Sequence, residues 1–496
     1  MGLGIFAARR VFQWGPSGGD ASVWFSLYEW VGRGHAIYSE VWDHKDLGFL
    51  WINSLVYSFG GVSGVYVFSL GLVGLFGFSI FLITQEYSPR YFSFWVAVLL
   101  TAAYVSAPSF LSVYTEHFAI TLIAFASALF ARFPLLAGAI FAIASSVKLG
   151  SIIVFVAALS ALLIASKVWI SSPQSRLIRL VLRSAFGFLA MGSAILAGAH
   201  SANLLPGWLE VISYNREYSS IRNANPFAPT SLLSLFQEVI AGPIVGFSLF
   251  VGFAVFLLIH FRSVKRDAET TARTDEWATV AVAGGVATGA IIALVPQIPP
   301  SFHHLHFAVG GLLVLTAALA GRLHLKLLGL IDSSRFFAGA MGLFLFFLVV
   351  PGAVTSLAAG GPVVDVGVGK VRTVTNQDPN LSEVNSVAVF GYNSPAFDPR
   401  ALPGHVLLKC RFFYQFNHMI PRYGDEIAKC LDLAPDIVLV DRPEVYFGNL
   451  EQAGFGDLEE TLELKLEASY VQCSVEFRNF MMFARSDDYC GRALAD

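Results

Sequence analysis

The chain is written in long apolar runs separated by short polar stretches. A helix needs about twenty residues to cross a bilayer, and somewhat shorter apolar runs still read as candidates. Runs near 62–84, 91–107, 116–131, 134–147, 149–166, 184–202, 241–261, 277–296, 306–321 and 336–358 fit this reading, with Lys148 marking a division that can be drawn differently. Ahead of them, Gly18-Gly19 is expected to break a first helix. Ser22 to Val31, with Trp24, Phe25, Leu27, Tyr28 and Trp30, reads as an interfacial helix lying on the bilayer. Before Asp20 only about eight apolar residues precede Arg9-Arg10, too few to span. The expectation is a first helix whose start is missing from the sequence as given, with an interfacial N-terminus as the alternative. No charged segment precedes the apolar stretch, so a signal peptide is not expected.

After Pro351 the pattern changes to alternating and charged stretches. Ser386–Gly391 reads as a strand, Tyr423–Leu433 as a helix, Asp436–Asp441 as a second strand and Arg478–Arg485 as a third. The predicted architecture is a polytopic α-helical membrane protein of about 10–11 spans over residues 1–360, followed by a small soluble α/β domain over 361–496.

Composition supports that division. Of the 496 residues, 55% are hydrophobic and 14% charged, and mean hydropathy is +0.63. A soluble domain carries about 25% charge. The net charge of −3 gives no case for nucleic-acid binding, and no Walker loop occurs. Thirteen Lys and Arg residues, from Arg90 to Arg335, fall in one set of loops, against four (Arg33, Lys45, Arg216, Arg222) in the other. The basic excess places the first set in the cytoplasm. The 15–60 loop, the 203–240 segment, the 297–305 loop and the C-terminal domain then face outward. All four cysteines lie in that last domain, which suits disulfides in an oxidising compartment. Cys410–Cys430 and Cys473–Cys490 is the expected pairing, with four buried free thiols as the alternative.

Candidate chemistry concentrates in the 15–60 loop, where Asp20 precedes the cluster Asp43-His44-Lys45-Asp46. Acids and a lysine at the mouth of a membrane bundle are costly without a use. Sugar transfer needs a carboxylate to take or orient the nucleophile's proton, a cation for the leaving phosphate, and a groove for a lipid tail. Asp20 can supply the first, Lys45 the second and a helix beside the bundle the third. Asp20 as a cap for a helix starting at Ala21 is the plainer account.

Gly19-Asp20, Gly34-x-x-x-Tyr38 and Trp42-Asp43-His44-Lys45 before an apolar helix resemble the first outer loop of the GT-C glycosyltransferases, in particular the protein O-mannosyltransferase and lipid A aminoarabinose transferase group. The resemblance implies a polyprenyl-phosphate sugar donor, with Asp20 as catalytic carboxylate and Lys45 on the donor phosphate. Asp43 is expected to support or replace one of these two roles, and His44 and Tyr38 to bind substrate. Asp46-Leu47 stands where that family has Pro-Pro, and a single acid stands at 20 where many members have Asp-Glu. Weaker matches are Tyr114-Thr115-Glu116, the small-residue stretch from Gly138 to Lys148, and His303-His304.

Each weaker match has a structural alternative. Glu116 with His117 can orient an acceptor or hold a divalent cation beside Asp20, or open a helix where an acid complements the dipole. Lys148 can be a second phosphate contact or a snorkelling interfacial lysine. His303 and His304 can border the site or sit in an ordinary polar loop. Arg216, Glu217, Tyr218 and Arg222 can grip a pyrophosphate or form a solvated loop, and Asp436 and Asp441 can simply end a strand. No cofactor or convincing metal ligand set is identified.

The expected function is a multi-pass cell-membrane glycosyltransferase, embedded in lipid, with its active site outside the cytoplasm and a glycan, lipid or protein as acceptor. A multi-span transporter or flippase of a lipid-linked saccharide is the alternative from another class. An envelope polysaccharide polymerase or ligase is a third reading.

Overall fold

The computed structural model describes residues 19–107, 110, 113–168, 174–222, 274–294, 304–327, 383–391, 399–413, 419–441, 446, 450–451, 454–477 and 480–490. The stretch before Gly19, the expected helices at 241–261 and 336–358, His303 and the side chain of Asp20 lie outside the described residues.

Helices follow the apolar runs. They are α1 (Gly19–Gly32), α2 (Leu47–Gln85), α3 (Arg90–Ser106), α4 (Thr115–Leu129), α5 (Pro134–Val147), α6 (Ser151–Val168), α7 (Gln174–Ser201), α8 (Leu205–Arg222), α9 (Thr274–Ile292) and α10 (Leu305–Leu327). Among the described residues, three segments are long and apolar enough to cross a membrane: Leu47–Gln85, Leu177–Ser201 and Leu305–Arg322. Five shorter apolar helices lie among them. Lys148 does mark a boundary: its extended backbone (φ −149, ψ 111) ends α5, and α6 begins at Ser151.

Between apolar helices in lipid, close packing rather than exclusion from water favours association. α5 and α7 meet where a Cβ on Gly138 would strike the backbone of Ser184 and one on Gly187 that of Leu135. Elsewhere aromatic rings fill the bundle, as in the stacked pair Phe76–Tyr104 with centroids 3.9 Å apart.

Three expectations at the start of the chain are corrected. Ser22–Val31 does not lie on a surface. It belongs to α1, most of whose described side chains are buried against protein, with Trp30 at 0% and Trp24 at 2% exposure. An aromatic-rich run looks the same in sequence whether lipid headgroups or protein cover it. The 15–60 segment is a loop only between α1 and α2, because the apolar periodicity of α2 already starts at Leu47 and continues through a kink at Gly61 (φ 58). Gly19 and Asp20 fall inside α1 instead of ahead of it, so the helix does not start at Ala21.

The C-terminal domain holds a five-stranded sheet, with β1 (Ser386–Phe390), β2 (Leu407–Leu408), β3 (Ile437–Asp441), β4 (Val471–Phe477) and β5 (Phe480–Ala484) in the order β2-β1-β3-β5-β4. β1 is parallel to β2 and β3, while β5 runs antiparallel to β3 and β4. All five residues of β1 and of β3 are buried, as suits central parallel strands, whereas β5 alternates. The expected helix at Tyr423–Leu433 is α11 (Ile420–Lys429) followed by a 3-10 turn to Leu433, and the third expected strand is β5. β2, β4 and α12 (Gly456–Ser469) were not expected. Asp436 joins strand starts, since its Oδ2 accepts the N–H groups of Asn385 (2.8 Å) and Ser386 (3.0 Å). Cys410–Cys430 and Cys473–Cys490 are disulfides, as expected.

Candidate active site

The loop between α1 and α2 is folded back on itself by its own side chains. Asp43 Oδ1 accepts the Lys45 N–H at 2.8 Å, closing an Asx turn. The Tyr38 hydroxyl donates to the Lys45 carbonyl at 2.8 Å, and the Tyr38 N–H to the Val41 carbonyl at 2.7 Å. Tyr38 is buried and sits in the left-handed region (φ 71), a strain of about 1–2 kcal/mol for a bulky side chain that its surroundings must hold. Burial, then the nearby charges of Asp46 and Asp43, push its phenol well above the usual range, so it stays a neutral donor.

Lys45 extends over the ring of Trp24, its ammonium 5.3 Å from the centroid. Trp24 lies one helical turn beyond Asp20 on α1, so positions 20 and 24 share a face. The same indole meets Tyr114 edge-on at 4.8 Å, just ahead of α4. Among the described residues Lys45 makes no ion pair, though it is coupled electrostatically to Asp46.

Asp46 links this loop to the rest of the bundle. One carboxylate oxygen accepts the Leu149 N–H at 2.9 Å and the other the Trp208 indole N–H at 3.3 Å. Burial raises the Asp46 pKa, opposed by those two hydrogen bonds and by the charges of Lys148 and Lys45. Gly48 makes this contact close, because a Cβ there would strike Ser146 two residues before Lys148.

Lys148 and Glu116 form the second half of the constellation. Glu116, 2% exposed in the first turn of α4, accepts from Lys148 Nζ at 2.7 Å and from the Thr115 hydroxyl at 2.9 Å. His304 Nε2 lies 3.6 Å from the same carboxylate. The structure thus brings Glu116, Lys148 and His304 together from three separate helix ends. Lys148 is an ion-paired, buried side chain and not a snorkelling one. His117 points elsewhere: its Nδ1 meets the Tyr104 hydroxyl at 2.7 Å and its Nε2 the Ser69 carbonyl at 3.1 Å. Asp43 is buried, with His44 Nδ1 3.7 Å from its carboxylate.

The segment after α7, read from sequence as a pyrophosphate grip or a solvated loop, is instead the helix α8, which lies over the loop. Its Asn215 donates to the His44 carbonyl at 2.8 Å, and its Glu217 pairs with Arg422 of the C-terminal domain at 3.0 Å. The C-terminal domain closes the same end. Arg33 donates to the carbonyls of Pro399 (2.6 Å) and Pro403 (3.0 Å), and His35 Nε2 accepts the Leu408 N–H at 3.2 Å. Asp46 was part of the sequence cluster but was given no role, and Trp24, Trp208 and Arg411 were not singled out as site residues from sequence. For Trp24 a signal existed, its four-residue spacing from Asp20; for Arg411 there was none.

A bundle of apolar helices thus gathers acids, lysines and a histidine at one end, under a small disulfide-bonded α/β domain. No family model matches the chain, and no curated protein matches its sequence. Solved structures do. The oligosaccharyltransferase of Archaeoglobus fulgidus, crystallised with zinc and sulfate, aligns with a TM-score of 0.50 at 13% identity, over 98% of this chain and 73% of that one. A structure of the same archaeal enzyme with an inhibitory peptide and a dolichol-phosphate aligns with a TM-score of 0.47 at 14% identity, over 98% and 74%. The first of these likenesses shows that the chain has a GT-C glycosyltransferase fold.

Proposed function

We propose that this protein is an integral-membrane glycosyltransferase that moves a sugar from a polyprenyl-phosphate donor to a cell-envelope glycan, lipid or protein, outside the cytoplasm. The observation that carries the reading is Lys45 held over Trp24, one turn from Asp20, on a loop closed by Asp43. An acid position and a cation without an ion pair among the described residues thereby lie at the same end of the bundle.

In this reading the acceptor's O–H or N–H gives its proton to the Asp20 carboxylate as its lone pair attacks the anomeric carbon. The bond from that carbon to the donor phosphate oxygen breaks, and the electron pair leaves with the phosphate. Lys45 meets the charge that develops there. Configuration at the anomeric carbon inverts in this single displacement. Asp43 supports Lys45 by fixing its backbone, while His44 and Tyr38 complete the loop. Glu116, paired with Lys148 and beside His304, borders the acceptor side.

The similar archaeal structure contains zinc. Here the Glu116 carboxylate already faces Lys148 and Thr115, and among the described residues no three His, Cys, Asp or Glu side chains gather to hold a metal. The two disulfides and the basic excess of the opposite loops support an outward-facing site.

Purified protein supplied with synthetic prenyl-phosphate sugars and an envelope extract tests the proposal. Asp20→Asn should lower turnover by about 10²–10⁴-fold while the protein still accumulates. Undiminished turnover would remove Asp20 from the role of base, and absence of transfer by the wild type from every donor tried would sink the reading.

A further inference from the structure

One side chain of the C-terminal domain, Arg411, joins the loop that carries Lys45 to two helices at once. Arg411 Nε and Nη2 donate to the two oxygens of Glu426 on α11 at 2.7 and 2.8 Å. Nη1 and Nη2 donate to Glu210 on α8 at 3.2 and 3.1 Å. Nη1 also donates to the Tyr38 carbonyl at 3.2 Å. All five donors of the guanidinium are thus engaged, a fan that lysine cannot reproduce. Its own backbone carbonyl accepts the Trp42 N–H at 2.9 Å. Arg411 therefore grips the loop at both Tyr38 and Trp42.

Three features turn this grip toward Lys45. Tyr38 is the strained residue of the loop, and its hydroxyl binds the Lys45 carbonyl. α8 packs closely on its side chain, since a Cβ on Gly207 would strike Tyr38. Cys410, next to Arg411, is bonded to Cys430 at the end of α11, which ties Arg411 to the helix that carries Glu426.

We propose that Arg411 is a positioning residue for Lys45. The guanidinium holds Tyr38 in its left-handed conformation, Tyr38 fixes the Lys45 backbone, and the docked C-terminal domain thereby sets where the lysine meets a phosphate. The inference rests on the proposed phosphate role of Lys45 only for its functional consequence.

The test uses the full chain in lipid nanodiscs, with hydrogen exchange at residues 36–46 and binding of a sugar-free prenyl phosphate as readouts. Arg411→Met should speed exchange of the 38–46 amides at least tenfold, leave the β1 and β3 amides protected, and weaken prenyl-phosphate binding about tenfold, equivalent to ~1.4 kcal/mol. Tyr38→Phe should give a smaller loss of binding, and the double variant no more than Arg411→Met alone, because both act along one path. Should the methionine variant fail to accumulate, Arg411→Lys keeps the charge but loses the fork, and the same exchange rise is expected at threefold or more. Unchanged exchange in the 38–46 segment, or full rescue by lysine, overturns the proposal, as do additive effects on binding. If prenyl phosphate fails to bind the wild type, the functional reading falls while the exchange result still decides the positioning role.

Discussion

The two halves of the site hold similar charges in different ways. Glu116 and Lys148 sit at ends of regular helices, α4 and α5, and meet each other directly at 2.7 Å. Lys45 and Asp43 sit on an irregular loop whose shape depends on hydrogen bonds from α8 and the C-terminal domain. The first half is placed by helix packing, so its geometry follows from the bundle. The second is placed by a partner domain, so it is adjustable wherever that domain's contacts change.

That contrast is open to attack at three points, in falling order of effect. Glu116→Gln leaves the Lys148 ammonium buried without a carboxylate, and removing one partner of a buried pair costs about 3–5 kcal/mol. Thermal unfolding in detergent should show this loss, and the double variant with Lys148→Met should recover much of it. No change on Glu116→Gln would mean that helix packing alone fixes this half. Gly48→Ala forces a methyl group against Ser146, an overpacking of about 1–3 kcal/mol at the seam between the halves. It should lower stability and move Asp46 from Leu149, visible as faster exchange of the Leu149 amide; an unaltered amide would show that the halves are not joined there.

The smallest effect is a pH dependence of the loop half. His35 Nε2 accepts the Leu408 N–H and so must be unprotonated there. Burial lowers its pKa below the ordinary value near 6.5, Glu40 raises it and Arg33 lowers it further. A base with a depressed folded-state pKa contributes stability above its unfolded pKa and loses it as pH falls through the folded one. Domain docking should therefore weaken on acidification below about pH 6.5, measured as exchange at Leu408. His35→Gln keeps an acceptor that does not titrate and should flatten that dependence; a persistent slope would assign it to another group.

Much of this was legible in the sequence, for reasons that differ by region. Long apolar runs set most described helices because their periodicity and length are local properties. The Asp43-His44-Lys45 cluster was visible because polar residues are conspicuous among apolar ones. Glu116 and Lys148 were each noticed, yet their pairing across 32 positions is a tertiary fact. α1 was misplaced onto the bilayer surface because aromatic residues suit headgroups and protein cores equally. α12 carried a faint signal in Leu458, Leu462 and Leu466 at helical spacing, obscured by its acidic residues. Arg411 had no local pattern at all; its role comes from partners on three other elements.

The central claim is that Lys45 receives the donor phosphate, and binding of a sugar-free prenyl phosphate to nanodisc-embedded protein measures it without any acceptor. The account predicts that Lys45→Ala weakens this binding about tenfold or more, a loss of ~1.4 kcal/mol, while Asp20→Asn binds as tightly as the wild type. Equal affinity of Lys45→Ala and wild type would contradict it.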